Sequence, residues 1–159
     1  MITFFNRNKQ KHTSIIAPID GQLIQIEKVN DPVFSQKIMG DGVAFIADGN
    51  VINVCAPASG ILSVLFPTGH AFGITLANGV EILVHIGLDT VNAKGEGFEM
   101  LDKKQGDSVE SGDEIVRVHI NELKEKYDMT IMLIITKSNE QQIHFIAPSS
   151  VKQGQSILL

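Results

Sequence analysis

Five of the 159 residues are histidines, at positions 12, 70, 85, 119 and 144, and the sequence around two of them sets those two apart. His85 interrupts "EILVHIGLDTV" (81–91), a run that up to Ile86 is apolar and β-prone apart from its leading acid. In a strand, residues two apart share a face. Ile82, Val84 and Ile86 then form a core face, and Glu81, Leu83, His85 and Gly87 the opposite one. His85 is expected to point away from the core, beside a glycine that leaves another molecule room to approach. His70 lies in "PTGHAFGI", at the start of the strand preceding Asn78-Gly79. Asn-Gly between apolar runs tolerates positive φ at both turn positions and signals a hairpin. Pairing about that turn, with Ala77 beside Val80, sets His70 against residues near 87, within side-chain reach of His85.

Two converging imidazoles suit more than one chemistry. Imidazole is a common metal ligand, and Asp89 offers a further donor to the pair of His70 and His85. A histidine also serves as the nucleophile of phosphoryl transfer. The third reading is a chance surface pair. His12, His119 and His144 belong to no recognisable motif and are read as surface or structural residues. The absence of a P-loop, a dinucleotide-binding fingerprint and an HExxH motif argues against nucleotide hydrolysis and that class of protease.

Short strands cut by Gly, Pro, Asn and Asp must position these residues, as in "SIIAPIDGQLIQIEKV" and "GVAFIADGNVINVCAPASGILSVLF". This spacing reads as an all-β sandwich or barrel. The helix candidate is "NELKEKYD", with Asn121 as its N-cap. "APIDGQLIQI" from Ala17 is repeated as "APASGILSVL" from Ala56, and "KQGDSV" from Lys104 echoes "KQGQSI" from Lys152. Such repeats imply pseudo-symmetric strand sets sharing one core. Residues 1–13 read as a flexible tail, and 14–159 as one domain. Phe4 and Phe5 ahead of Arg7, Lys9 and Lys11 would give that tail at most a weak contact with a membrane surface.

A net charge of −5 argues against nucleic-acid binding. One cysteine, Cys55, excludes an internal disulfide and suits a reducing compartment. No apolar stretch approaches the length of a membrane span, and the N-terminus carries too short an apolar segment for a secretory signal. The default location is cytoplasmic.

The segments "DPVFSQKIMGDGVAF", "APASGIL", "TGHAFGI", "GVEILVHIGLDTVNAKGEGF" and "GDSVESGDEIV" resemble, in the same order, the glucose-type enzyme IIA of the bacterial phosphoenolpyruvate-dependent sugar phosphotransferase system. The resemblance implies an antiparallel β-sandwich or flattened barrel of duplicated hybrid type, with at most short helical segments. It implies a phosphotransferase component without a cofactor. His85 would accept a phosphoryl group from the histidine-containing phosphocarrier protein and pass it to a sugar-specific IIB domain of the IIB/IIC permease. His70 would stabilise the phosphoryl group, Thr68 would orient His70, and the Gly87 carbonyl would accept from His85. Asp31, Val33, Phe34, Phe66, Leu83, Asp89 and Val91 match the partner-binding rim. The family's pattern is departed from at Pro32, Val64, Pro67, Gly69 and His119. Regulation of other proteins through the phosphorylation state is the alternative within the family. Outside it stand a zinc peptidase, which lacks its H-x-H here, and a lipoyl or biotinyl carrier, with Lys103 as attachment site.

Overall fold

Burial alternates strictly along Glu81–Ile86, with Ile82, Val84 and Ile86 inside, as the sequence pattern requires. The computed structural model describes residues 12–159, so all of the expected tail but its last two residues lies outside the described residues. Thr13 already belongs to the folded body, because its hydroxyl accepts from the Asn78 amide at 2.9 Å. Eleven strands follow in chain order: β1 (Gly21–Gln25), β2 (Gly42–Ala47), β3 (Val51–Cys55), β4 (Gly60–Leu65), β5 (Ala71–Thr75), β6 (Glu81–Ile86), β7 (Phe98–Met100), β8 (Ser108–Val109), β9 (Glu114–His119), β10 (Ile131–Lys137) and β11 (Ser149–Val151). All pairings are antiparallel. One sheet has the order β11-β1-β2-β10-β6-β5-β4-β8, and a smaller one β3-β9-β7. Neither closes into a barrel. The main core lies on the inner face of the large sheet and includes Phe45, Phe72, Leu23, Leu62, Ile115 and Ile131.

The order of the large sheet is a palindrome about the β10–β6 pair, and the repeated motif explains it. Ile16 N–H donates to the Pro57 carbonyl at 2.8 Å, while Cys55 N–H donates to the Pro18 carbonyl at 3.0 Å. The variable Asp/Ser of the motif has one task in both copies. Asp20 Oδ1 accepts from Gln153 N–H at 2.7 Å, and Ser59 Oγ from Ser111 N–H at 2.9 Å. The motif glycines lie against neighbouring strands: a Cβ on Gly21 would sit 2.2 Å from the Ile46 carbonyl oxygen, and one on Gly60 2.3 Å from that of Thr75. The second echo is corrected by these bonds. The counterpart of "KQGQ" at 152–155 is "ESGD" at 110–113. Gly154 N–H and Gly112 N–H donate to Ala17 and Ala56, whereas Gly106 N–H donates to Leu62. Outside the named strands, bridges Ile16↔Ser156 and Phe145↔Leu158 repeat on one side what Cys55↔Glu114 and Met100↔Val116 do on the other.

The hairpin forms where the sequence places it, one residue out of register. Three residues, not two, separate Leu76 from Val80, whose carbonyl accepts from Leu76 N–H at 2.9 Å. Only Gly79 takes positive φ, at 87°. Asn78 instead commits its side chain, accepting from Val80 N–H and donating to Thr13. This is the turn-plus-left-handed-residue loop rather than the two-residue one. Ala71 therefore faces His85, and the His70 carbonyl accepts from Ile86 N–H at 2.7 Å. The predicted helix shrinks to one turn, α2 (Ile120–Leu123), after α1 (Pro32–Ser35). Its N-cap is His119 rather than Asn121, because burial of Ile120 and Leu123 starts the turn as β9 ends.

Candidate functional site

The outward face of β6 is not bare. Residues 26–41, between β1 and β2, fold over it and build a second, smaller core, in which Ile26, Val29 and Phe34 pack with Ala44, Leu88, Met132 and Ile134. Asp31 starts α1 from extended backbone, its carboxylate accepting from Val33 N–H at 3.0 Å. Pro32 stands in the first turn, where no N–H is needed. Phe34 is thereby only 5% exposed, and its ring centroid lies 5.2 Å from that of His85. Burying that ring contributes on the order of 2–3 kcal/mol and half-covers the histidine.

His70 comes from the β4–β5 turn. Phe66 N–H donates to Ala71, and Gly69 N–H donates back to Phe66 at 2.8 Å. Gly69 has φ 76°, and a Cβ there would meet Phe98 at 3.0 Å, so β7 packs tightly on the turn. His70 is 3% exposed, and its ring lies edge-on to Phe66 at 5.0 Å and to His85 at 5.3 Å. Thr68 Oγ1 is 2.5 Å from His70 Nδ1. His85 Nδ1 is 2.8 Å from the Gly87 carbonyl oxygen. A carbonyl only accepts, so Nδ1 carries the proton and Nε2 keeps its lone pair. Gly87 has φ 79°, and its own N–H donates to the Thr130 carbonyl at 3.0 Å.

Burial pushes the His85 pKa below the ordinary 6.5, against the opposing pull of the Gly87 carbonyl and the charges of Asp31 and Asp89. Burial, and then the charge of His85, lower that of His70. Both rings are therefore neutral at pH 7. The unfolded chain takes up protons near 6.5, whereas the folded one binds them only at lower pH. Stability is thus full above 6.5 and declines as pH falls through the folded pKa values. Urea midpoints should drop over this window for the wild type and less steeply for His70→Gln. Equal slopes would show that His70 titration does not contribute.

The sequence-predicted residues divide once placed. Phe66 is exposed and touches His70; Val33 and Val91 are exposed; Leu83 is half-buried at the margin of the second core. Phe34 is buried, so it supports the His85 ring instead of presenting a surface. Asp89 is exposed, with φ 60°, at the entry of the 3-10 turn Thr90–Ala93. It does not complete a metal site, because no group of three or more His, Cys, Asp or Glu able to hold a metal exists among the described residues. His119 bonds Glu99 at 2.6 Å, and His12 and His144 are exposed. Lys103 lies between β7 and β8, ion-paired with Asp113 at 3.6 Å, away from any hairpin apex. Burial pushes the Cys55 thiol up to about 11, leaving it unreactive. Sequence reasoning missed Thr90 and the 128–130 segment. Leu88 N–H donates to Asp128 at 2.8 Å, a contact across some forty residues that no local pattern announces.

Fold and site together define an open antiparallel β-sandwich with a neutral histidine pair on one sheet face, of which His85 has its tautomer fixed by a carbonyl. Residues 13–141 match the family model described as phosphoenolpyruvate-dependent sugar phosphotransferase system, EIIA 1. The chain is 43% identical over 148 residues to the glucose-specific EIIA component of Halalkalibacterium halodurans, covering 91% of this chain and 83% of that one. It is 37% identical over 146 residues to the glucose-specific EIICBA component of Staphylococcus carnosus, covering 91% of this chain but spanning only 21% of that relative's length. The solved structure of glucose permease IIA from Mycoplasma capricolum superposes with a TM-score of 0.86 at 38% identity, covering 92% of this chain and 94% of that one. The chain belongs to the EIIA 1 family of the phosphoenolpyruvate-dependent sugar phosphotransferase system. As such it is a component of that phosphotransferase system, and in the EIICBA relatives the matching segment is one part of a longer chain.

Proposed function

We propose that His85 is the phosphoryl acceptor, taking the group from the phosphorylated histidine-containing phosphocarrier protein and passing it to a IIB domain in the cytoplasm. The observation that supports this is the bond from His85 Nδ1–H to the Gly87 carbonyl, which leaves Nε2 free to attack. As the Nε2–P bond forms, the donor's N–P bond breaks and its histidine leaves neutral. Nδ1 retains its proton, so the phosphorylated ring becomes cationic, and the Gly87 carbonyl stabilises that charge. If the Thr68 hydroxyl donates to His70 Nδ1, Nε2–H of His70 is the free donor, aimed at an equatorial phosphoryl oxygen. The exposed Val33, Phe66, Asp89 and Val91, together with half-buried Asp31 and Leu83, are the surface on which partner proteins would bring their own side chains in line.

Incubation with phosphoenolpyruvate, enzyme I and the phosphocarrier protein should yield one acid-labile phosphate, mapped to His85 by mass spectrometry. No phosphate, or phosphate elsewhere, overturns the assignment. His70→Gln should still accept the group yet pass it to IIB at least about tenfold more slowly, the cost of one charge-assisted hydrogen bond. Undiminished onward transfer would remove His70 from the reaction.

A further inference from the structure

Only two buried polar or charged side chains occur among the described residues, and both are at this site: His70 and Thr90. Thr90 is 0% exposed. Its hydroxyl donates to the Ile86 carbonyl at 2.5 Å. Its methyl occupies the space a side chain on residue 87 would need: a Cβ there would lie 2.5 Å from Thr90 Cγ2. Gly87 therefore sits between two pinned peptide planes. The plane before it is held at its carbonyl by Thr90 and at its N–H by Thr130. The plane after it is held at its N–H by Asp128, and its carbonyl faces His85 Nδ1. Glycine in the left-handed region is the residue with most freedom to rotate such planes. Three of the four restraints come from backbone groups or the acceptor ring itself, and Thr90 supplies the only one that belongs to another side chain.

We propose that Thr90 is a positioning residue for phosphoryl transfer: by locking the Ile86–Gly87 peptide it fixes the Gly87 carbonyl, and through it the tautomer of His85. Thr90 touches no reacting atom. It acts on the ring nitrogen that must be unprotonated, at two removes. The idea rests on His85 being the acceptor, yet its primary readout does not. Nitrogen-15 NMR of the histidine rings at pH 8 reports which nitrogen is protonated with no partner protein present.

Wild type should show His85 almost wholly as the Nδ1–H tautomer. Thr90→Val is nearly isosteric, fills the methyl space and removes the donor. It should give a mixture of tautomers and accept phosphate about tenfold more slowly, the equivalent of one lost hydrogen bond. Thr90→Ser keeps the hydroxyl and should restore both the tautomer and the rate. Should the valine variant fail to fold, Thr90→Ala removes the same donor without a misplaced methyl. An unchanged tautomer in the valine or alanine variant overturns the proposal. So does a serine variant that behaves like them. A wild type that shows the Nδ1–H tautomer but takes up no phosphate would instead sink the acceptor reading and leave the tautomer comparison to decide the role of Thr90.

Discussion

His85→Gln is expected to take up no phosphate from the phosphorylated carrier protein, a loss of at least about 10⁴-fold, as when an enzyme's nucleophile is removed. Glutamine is of similar length and is neutral at pH 7, as the native ring is. It can reach the Gly87 carbonyl with its amide, so the β6 backbone keeps its partners. What it lacks is a basic lone pair in the position of Nε2. The variant should fold with the wild-type circular dichroism spectrum, and its melting temperature should change by a few degrees at most, because His85 is half-exposed rather than a core residue. The strongest contrary outcome is retained phosphorylation with the label on His70. That would mean the two rings exchange roles and that the Gly87 carbonyl does not select the nucleophile.

Gly87→Ala carries the second large effect, in stability as well as chemistry. The backbone there has φ 79°, a region L-residues avoid at a cost of about 1 kcal/mol or more. A Cβ would also lie 2.5 Å from Thr90 Cγ2 and 2.9 Å from Met129 Sδ, with the Asp128 carbonyl oxygen at 3.3 Å. Relieving such overlap in a packed region adds about 1–3 kcal/mol. Urea unfolding should therefore show a loss of roughly 2–4 kcal/mol in all, and the folded fraction should accept phosphate poorly, because the carbonyl has to move. Gly106→Ala is the matched control. Its φ of 96° imposes the same kind of strain, but nothing lies within 4 Å of its would-be Cβ. If the two alanine variants lose the same stability, crowding at Gly87 is not the cause.

Much of this site was legible before any coordinates because strands report their faces locally. Ile82, Val84 and Ile86 point inward, so His85 has to point outward, and that inference needs only period two. The hairpin supplied the partner ring, although its register was one residue off. Asn78 spends its side chain on Thr13 and Val80 instead of taking positive φ, and a dipeptide cannot disclose that. The proximity survived the slip because His70 lies just outside β5, where its ring is not bound to the strand's alternation. What stayed hidden was everything brought by distant segments. Phe34 reads as a surface anchor until α1 is seen folded over β6. Asp128 and Thr130 have no marker as the clamp on residues 87 and 88. The second echo misled because similar turn sequences recur for local reasons, whereas symmetry lies in which carbonyl each turn bonds.

The two halves of the palindromic sheet are joined differently. β5 and β6 are joined by a tight loop, but their counterparts β2 and β10 are joined by residues 48–130, which contain β3 to β9. One half is thus set, as an inserted copy, within a hairpin of the other, the host copy. Ile135 N–H donates to the Asp41 carbonyl at 2.8 Å just as Ile86 N–H donates to that of His70, so Asp41 and Ile134 stand where His70 and His85 stand in the inserted copy. The host copy carries an aspartate and a buried isoleucine in place of the two imidazoles, and Ile134 packs with Phe34 in the small core beside His85. The host copy therefore offers no ring nitrogen at these two positions, and its Ile134 instead helps close the small core beside the histidine pair.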